Sequence, residues 1–587
     1  MKDFVKYTLA TLCGLFLAGI ATSVLATIAI IGMLSVDNGT TPIQPRSMLR
    51  LTLNGILQED APEDPFGTLF GNTYPVLSQK NILAAIQAAK TNPDISGIYI
   101  EAQALSGATP AMLQEIRENL ADFKKSGKPV IAYGDYYTQG CYYICSVADK
   151  IVLNPQGQVT WCGMASQPIF YKDLLEKIGI KMQVFKVGNY KSAVEPFTAT
   201  EMSEANREQI TSYLNDIWQT MVADVSRSRH ISPKRLNAYA DSLTAFRQAE
   251  ELKDMGLVDT LCYIDGVSGM LRTATGKTEG KLPFANIKDV TATADAAPKT
   301  GDKIAIYYAY GDIVDRKTDW NDAVIDAEET CRELKKLRED KSVKAVVLRV
   351  NSGGGSAYAS EQIWHEVELL KAAKPVVASM GGMAASGGYY IACNSDYIMA
   401  EPTTLTGSIG IFGLIPDASR LLTDKLGLHF DVVKTNRHAD FGTVARPFDA
   451  SEAAILQSYI RKGYGLFTRR VAEGRGMDAR DVEKIAEGRV WTGKQAARVG
   501  LVDTTGNLQA AIRKAAELAK TEKYHTVACP LPAPWYEGLL ESPKEDYLNS
   551  ALRETLGAQY APLMNLAQIR HLQGIQARLP YEPNLTN

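Results

Sequence analysis

The sequence is poor in the residues that build metal sites and disulfide frameworks. It has eight cysteines and six histidines in 587 residues, with neither a CxxC pair nor an HExxH spacing. These absences argue against a zinc ribbon, a disulfide-dense scaffold and an HExxH metallo-hydrolase. The net charge is only -3, so no global basic excess indicates nucleic acid as a partner. Hydrophobic residues at 45% and charged residues at 22% are typical of a globular chain.

One stretch near the N-terminus lacks charge altogether. No charged residue occurs between Lys6 and Asp37, and the 30 residues of this run are mostly apolar. A transmembrane helix needs about 20 such residues, so the run predicts one membrane anchor. Lys2 and Lys6 favour a cytoplasmic N-terminus, with the rest of the chain on the outer face. The alternative is a cleaved signal peptide, whose apolar region is typically about 7–15 residues long.

The remainder of the chain contains an internal repeat. The segment GKPVIAYGDYYTQGCYYICSVADKIVLNP (127–155) matches AKPVVASMGGMAASGGYYIACNSDYIMAEP (373–402), and Tyr-Tyr-Ile recurs at an offset of 247 residues. Further along, MGLVDT (255–260) matches VGLVDT (499–504). Several matches in the same order indicate two related halves rather than chance similarity.

Each half alternates between predicted strands and helices. The run KAVVLRV (344–350) is typical of a buried strand, and SEQIWHEVELLKAA (360–373) has helical periodicity. Such alternation predicts an α/β fold with βαβ crossovers in mainly parallel sheets. The predicted segments are an anchor and linker at 1–46, an N-terminal repeat at 47–275, a linker at 276–302, a C-terminal repeat at 303–525, and a loosely attached C-terminal extension at 526–587.

The second half carries a candidate nucleophile and a candidate anion-binding loop. NSGGGS (351–356) follows a predicted strand, and glycines let backbone N–H groups point at a developing oxyanion. Ser386 follows another strand at the start of a helix, and the N–H of Gly387 comes directly after it. The alternatives are an ordinary glycine-rich turn and a small serine that packs tightly or caps the helix.

A serine nucleophile needs a general base, and the histidines supply no convincing one. His438 lies in a polar stretch and is a weak alternative. Lys191 follows a strand-like run among small and apolar residues, and burial would lower the pKa of its amine enough for it to act as a base. The alternative for Lys191 is a solvated surface charge.

The two halves differ at these candidate positions. Ser386 aligns with Gln139, and NSGGG aligns with ALSGA (104–108), so the first half lacks the nucleophile and keeps only a degraded glycine loop. Lys191 aligns with His438 or Ala439, so the second half lacks the lysine. Each half therefore keeps a part that the other lost, which predicts one composite site where the halves meet.

At this point the chain resembles a known family. YKSAVEPF (190–197), NSGGGS (351–356) and AASGGYYIA (384–392) resemble the lysine, oxyanion and nucleophile motifs of long-form signal peptide peptidase A (protease IV), bacterial membrane-anchored serine peptidases of family S49. The resemblance implies tandem Clp-protease/crotonase-like domains, one transmembrane helix, a homotetramer, and neither a metal nor a cofactor. It implies these roles: nucleophile Ser386, base Lys191, and oxyanion donors Gly354 and Gly387.

The resemblance also implies a function. We expect a serine endopeptidase that degrades cleaved signal peptides and other apolar peptides on the outer, periplasmic side of the bacterial cytoplasmic membrane, in contact with membrane lipid. Two other classes remain open, a non-catalytic membrane scaffold or chaperone for hydrophobic segments and a crotonase-type acyl-CoA enzyme. The family loop usually has proline where this chain has Gly353, and often Gly-Asp-Tyr where it has Gly381, Gly382 and Met383.

Overall fold

The structure is a computed structural model. It describes residues 6–8, 11, 14–25, 41–60, 75–277, 282–295, 299–317, 323–530 and 575–579. The predicted membrane anchor lies partly outside these residues, which leave out 1–5, 9, 10, 12, 13 and 26–40. Among the described helices, none combines the length and the apolarity that crossing a membrane requires.

The first half is built on a seven-stranded sheet in the order β2-β1-β3-β4-β5-β7, with β8 beside β1. Every pairing within it is parallel, as the βαβ pattern predicts. The strands up to residue 285 are β1 (Ser47–Gln58), β2 (Val76–Ser78), β3 (Ile95–Ser106), β4 (Val130–Tyr137), β5 (Lys150–Val159), β6 (Lys181–Lys186), β7 (Thr260–Leu261) and β8 (Phe284–Ala285).

The helices of this half cover the sheet and form the segments between its strands. Their bounds are Gln79–Thr91, Pro110–Lys124, Gln139–Cys145, Lys172–Ile178, Glu195–Thr198, Glu204–Arg229, Pro233–Ala240, Ala249–Asp254, Ile264–Thr275 and Ile287–Asp295, with a 3₁₀ turn at Thr244–Phe246.

The second half repeats the plan in an eight-stranded sheet, β18-β16-β14-β12-β9-β20, with β15 beside β14 and β19 beside β15. Its pairings are parallel except for β16 with β18. Five strands of this half, β10, β11, β13, β17 and β21, lie outside this sheet. The strands after residue 301 are β9 (Asp302–Tyr310), β10 (Asp312–Val314), β11 (Val324–Asp326), β12 (Val343–Ser352), β13 (Gly354–Ser356), β14 (Val376–Ala385), β15 (Tyr397–Ala400), β16 (Leu405–Gly407), β17 (Phe412–Asp417), β18 (Val490–Thr492), β19 (Thr504–Thr505), β20 (Tyr524–Cys529) and β21 (Ile575–Arg578).

The central strand β14 is buried along its whole length, which explains its nearly continuous run of small and apolar residues. The α-helices of this half have the bounds Ala327–Glu339, Ala357–Ala373, Gly387–Ala392, Ala450–Arg475, Ala479–Ile485, Gly493–Arg498 and Leu508–Leu518, and a π-helical turn spans Leu421–Lys425. The tandem α/β repeat predicted from the sequence is confirmed.

A third sheet joins the halves. Its six strands run in the order β11-β10-β13-β21-β17-β6, so that β6 of the first half pairs antiparallel with β17 of the second. The loop that carries Lys191 follows β6 directly. This pairing brings a lysine of one half to the strand ends of the other.

Buried charges also join the halves. Arg349 on β12 has its Nε 2.7 Å from Glu59 Oε1 and its Nη2 2.5 Å from Glu115 Oε2, and all three side chains are buried. Removing one partner of such an ion pair leaves an uncompensated buried charge, at a cost of about 3–5 kcal/mol. The contact therefore fixes the first half, which supplies both carboxylates, against the second.

Two predicted boundary segments contain regular structure. The predicted linker at 276–302 includes β8, which pairs with β1, and the helix Ile287–Asp295. The predicted boundary at residue 525 falls within β20, which pairs with β9 in the sheet of the second half. The described part of the C-terminal extension is therefore not loosely attached, because β20 and β21 are both integral to sheets.

Candidate active site

Ser386 lies at the point where β14 ends and the helix Gly387–Ala392 begins. Its backbone has φ 55° and ψ -113°, a conformation that non-glycine residues rarely adopt. The Ser386 N–H donates to Gly407 O at 2.8 Å, which holds the turn against the neighbouring strand β16. The side chain makes no capping hydrogen bond to its own helix. This strained turn therefore leaves the hydroxyl available to another partner.

That partner is Lys191. Its Nζ lies 2.8 Å from Ser386 Oγ, although the two residues are 195 positions apart in the sequence. Both side chains are completely buried. The structure thus brings the predicted nucleophile and the predicted base together within one chain.

Lys191 Nζ has two further neighbours, both from Ser408. It lies 3.0 Å from the carbonyl oxygen and 3.1 Å from the hydroxyl of that residue. All these hydrogen-bond partners of Nζ are uncharged, and burial holds the pKa of Lys191 well below its usual value. Since the charged form is disfavoured, the amine is suited to accept a proton.

Glycines make room for the lysine. A Cβ on Gly488 would lie 2.6 Å from Lys191 Cβ, and a Cβ on Gly410 would lie 3.2 Å from Lys191 Cδ. The Tyr190 N–H also donates to Glu487 O at 3.1 Å, which ties the lysine loop to the second half. The site is therefore shaped by both halves.

Gly354 and Gly387 lie against each other beside Ser386. Gly354 has φ 104°, and a Cβ on it would lie only 2.7 Å from Gly387 N. A side chain cannot be accommodated there, which explains the need for glycine. In this structure the Gly354 N–H donates to Ser352 Oγ at 3.1 Å. The two predicted oxyanion donors are thus adjacent, and one of them already holds a hydroxyl oxygen.

His438, the alternative base, lies elsewhere. Its Nδ1 is 3.6 Å from Glu452 Oε1, near the start of the helix Ala450–Arg475. Among the described residues its polar neighbours do not include Ser386. Ser408, by contrast, is a site residue that the sequence motifs did not reveal. The internal repeat could have indicated it, because Ser408 follows Gly407 at the end of β16 and aligns with Trp161 at the same 247-residue offset.

Comparisons with known proteins agree with the repeat. The model of peptidase family S49 matches residues 122–276 and again 368–522, once in each half, and the Clp protease model matches residues 314–404. Protease 4 of Salmonella typhi is 39% identical over 511 residues, which cover 84% of this chain and 82% of that protein.

Two further relatives cover most of the chain. Protease 4 of Haemophilus influenzae is 36% identical over 538 residues, covering 87% of this chain and 85% of that protein. The chloroplastic serine protease SPPA of Arabidopsis thaliana is 32% identical over 484 residues, covering 81% and 70% respectively.

Proposed function

The chain belongs to peptidase family S49, and we propose that it is a membrane-anchored serine endopeptidase in which Ser386 is the nucleophile and Lys191 the general base. The observation that carries the assignment of roles is the 2.8 Å distance between Lys191 Nζ and Ser386 Oγ in a fully buried setting. A serine is a weak nucleophile until a base takes its proton. A lysine can take it near neutral pH only if its pKa is lowered, and burial lowers that of Lys191.

The proposed reaction has two stages. Neutral Lys191 accepts the hydroxyl proton of Ser386, whose Oγ attacks the carbonyl carbon of a peptide bond. The lysine then gives the proton to the leaving amine, and an acyl-enzyme remains. Water then enters and loses a proton to Lys191 as its oxygen bonds to the carbonyl carbon of the ester. Lys191 gives this proton to Ser386 Oγ as the ester bond breaks, which releases the new carboxyl group and restores both residues.

The N–H groups of Gly354 and Gly387 stabilise the oxyanion of both stages. The close contact of the two glycines supports this role, because it places both of them beside the nucleophile. The Gly354 N–H must turn from Ser352 Oγ towards the substrate oxygen. Ser408 acts as a positioning residue, because its carbonyl and hydroxyl oxygens fix the direction of Lys191 Nζ.

The substrates that fit this proposal are signal peptides left in the bilayer after precursor cleavage, together with other apolar peptides. Support comes from the uncharged run between Lys6 and Asp37, which would hold the enzyme at the cytoplasmic membrane with its peptidase domains on the outer side. Assembly as a homotetramer is part of the same proposal, and light scattering in detergent would test it.

The proposed chemistry is tested with detergent-purified protein and a synthetic signal peptide. We expect the wild-type protein to cleave the peptide, and Ser386→Ala and Lys191→Ala to lose cleavage while keeping their circular dichroism spectra and assembly state. If Lys191→Ala retained near-normal turnover, the base would lie elsewhere. If the wild-type protein cleaved no apolar peptide but still bound it, the scaffold function would replace the peptidase.

A further inference from the structure

A buried glutamine lies behind the loop that carries Lys191. Gln209 is on the helix Glu204–Arg229 of the first half, three positions after Asn206, and each of these two residues is only 1% exposed. A buried amide costs free energy unless its donors and its acceptor are bonded. The partners of Gln209 therefore show which parts of the molecule this side chain holds in place.

The amide nitrogen of Gln209 binds both neighbours of the lysine. Its Nε2 donates to Tyr190 O at 3.0 Å and to Ser192 Oγ at 2.9 Å, and it also lies 3.1 Å from Asn206 Oδ1. Ser192 Oγ in turn donates to Asn206 Oδ1 at 2.8 Å. The residue before Lys191 and the residue after it are thus bonded to the same buried amide.

The amide oxygen of Gln209 reaches the second half. Its Oε1 accepts the backbone N–H of Val490 on β18 at 3.1 Å. Val490 pairs with Gly407 on β16, and the Gly407 carbonyl oxygen accepts the Ser386 N–H at 2.8 Å. Directly after Gly407 comes Ser408, which binds the lysine amine. One side chain therefore links the lysine loop to the strands that hold the nucleophile turn.

The backbone partners of this amide allow one orientation. The Val490 nitrogen can only donate and the Tyr190 oxygen can only accept, so Gln209 must turn its oxygen to the second half and its nitrogen to the lysine loop. An apolar side chain of the same size would fill the space but make neither bond. The contribution of Gln209 is therefore a pair of directed hydrogen bonds rather than volume.

Charged side chains border this loop and are bonded to other groups. Glu195 accepts Asn206 Nδ2 at 2.9 Å, Glu487 accepts a side-chain amide of the loop at 3.1 Å, and Lys186 Nζ lies 3.4 Å from the Lys191 carbonyl oxygen. Burial is what lowers the pKa of Lys191. Water admitted by a looser loop would favour the charged amine, so the closure of the loop matters for the base.

We propose that Gln209 is a positioning residue of the peptidase: it holds the backbone on both sides of Lys191, so that the amine stays directed at Ser386 and closed off from water. This inference rests on the proposed function. Without the amide the lysine would remain in the chain, but its loop would be free to shift. A slower chemical step and a lysine that is charged over a wider pH range should then appear together.

Gln209→Met tests the proposal, since methionine is unbranched and close to glutamine in size but cannot make both bonds. We expect kcat for a synthetic signal peptide to fall by about 30-fold, with KM changed by less than about twofold. The pH below which kcat/KM declines should move upward, because water near the amine favours its charged form. A purely structural loss would lower the melting temperature and leave that pH unchanged.

Gln114→Met is the matched control. Gln114 is 3% exposed and also bridges the halves, since its Oε1 accepts Thr403 Oγ1 at 2.8 Å. The substitution removes a buried bond between the halves that does not involve the lysine loop. We expect a lower melting temperature with the kcat and the pH profile of the wild-type protein.

Ser192→Ala is a milder variant that keeps the test decisive if Gln209→Met does not fold. It removes the hydroxyl through which the amide holds the residue after Lys191 and leaves the bond to Tyr190 O in place. We expect kcat to fall by about threefold, with the pH profile displaced in the same direction as in Gln209→Met.

The outcomes separate this inference from the proposed function. If the wild-type protein cleaves no peptide, the proposed function itself fails. If wild type cleaves and Ser386→Ala does not, while the folded Gln209 and Ser192 variants keep the wild-type kcat and pH profile, the positioning role is overturned and the peptidase stands. A higher KM with unchanged kcat would also overturn it, because Gln209 would then act on peptide binding rather than on the base.

Discussion

The two halves use the same supports around their sheets. In the first, Arg229 Nη2 lies 2.6 Å from Asp259 Oδ1, and in the second Arg475 Nη2 lies 2.7 Å from Asp503 Oδ1. Each aspartate also accepts a backbone N–H from the neighbouring strand, at 2.8 Å and 2.7 Å respectively. Both halves have these Arg–Asp supports, but the candidate nucleophile lies in the second half. The shared supports therefore do not by themselves specify the candidate active site.

The two halves differ in the turn that carries the candidate nucleophile. Gln139 stands where the second half has Ser386, and its Oε1 accepts the N–H groups of Cys162 and Gly163 at 2.9 and 3.0 Å. The first half thus uses this position to anchor a loop. Its helix is capped by Thr138 with an ordinary extended backbone, whereas Ser386 has a positive φ and no capping bond. Of these two turns, the one at Ser386 has the strained backbone, and its hydroxyl is bonded to Lys191 instead of capping the helix.

The largest expected effect comes from Lys191→Met, which removes the amine and keeps an unbranched side chain. We expect peptide hydrolysis to fall by about 10,000-fold or more, because the serine loses its base. The free energy of unfolding should rise in this variant, although its activity falls. The folded state disfavours the proton that the unfolded lysine binds below its ordinary pKa, so burial of Lys191 costs stability at neutral pH.

The sign of this stability effect gives a second measurement. Between the lowered pKa of folded Lys191 and its ordinary pKa, the unfolded state holds more protons, so stability rises with pH. Lys191→Met should therefore unfold at a higher temperature than wild type near pH 7, and the gain should shrink as the pH rises towards the ordinary pKa of lysine. A variant that melted lower than wild type at pH 7 would contradict a neutral buried lysine.

Gly354→Ala is expected to cost less, about 100- to 1,000-fold in kcat, the usual loss of one oxyanion donor. Its Cβ would collide with Gly387 N at 2.7 Å, and its φ of 104° disfavours any side chain. Gly353→Ala is the matched control, since a Cβ there meets only Leu579 at 3.7 Å. Steady-state kinetics of the pair would show whether the loop needs all its glycines, and equal activities would remove Gly354 from the site.

Ser408→Ala tests a position that the first half fills with Trp161. Loss of the hydroxyl leaves the Ser408 carbonyl as one remaining guide for Lys191 Nζ, so we expect kcat to fall by about tenfold with KM unchanged. Ser395→Ala is the control, because its buried hydroxyl has no hydrogen-bond partner among the described residues. A change in KM rather than kcat would argue against a positioning role.

Sequence patterns predicted the frame well and did not predict the strands that pair between the halves. Helical periodicity placed a helix at 360–373, and the structure has Ala357–Ala373. Short-range motifs singled out Lys191 and Ser386, whose catalytic roles stay predictions. The pairing of β6 with β17 and the insertion of β21 escaped notice, because periodicity within a segment says nothing about its distant partner. The membrane anchor also stays a prediction.

The smallest effect is expected when the comparison is reversed by Gln139→Ser, which gives the first half the residue of the second. No peptidase activity should arise or change, because Lys191 is already paired with Ser386 and the aligned loop ALSGA (104–108) keeps a single glycine. Stability should fall by about 1–3 kcal/mol, since two backbone N–H groups, those of Cys162 and Gly163, lose their acceptor. Urea unfolding of both proteins would measure this loss as a lower midpoint concentration, and an unchanged m-value would show that stability alone has changed. If Gln139→Ser instead lowered peptide hydrolysis without changing stability, the first half would have a part in the reaction beyond supplying Lys191.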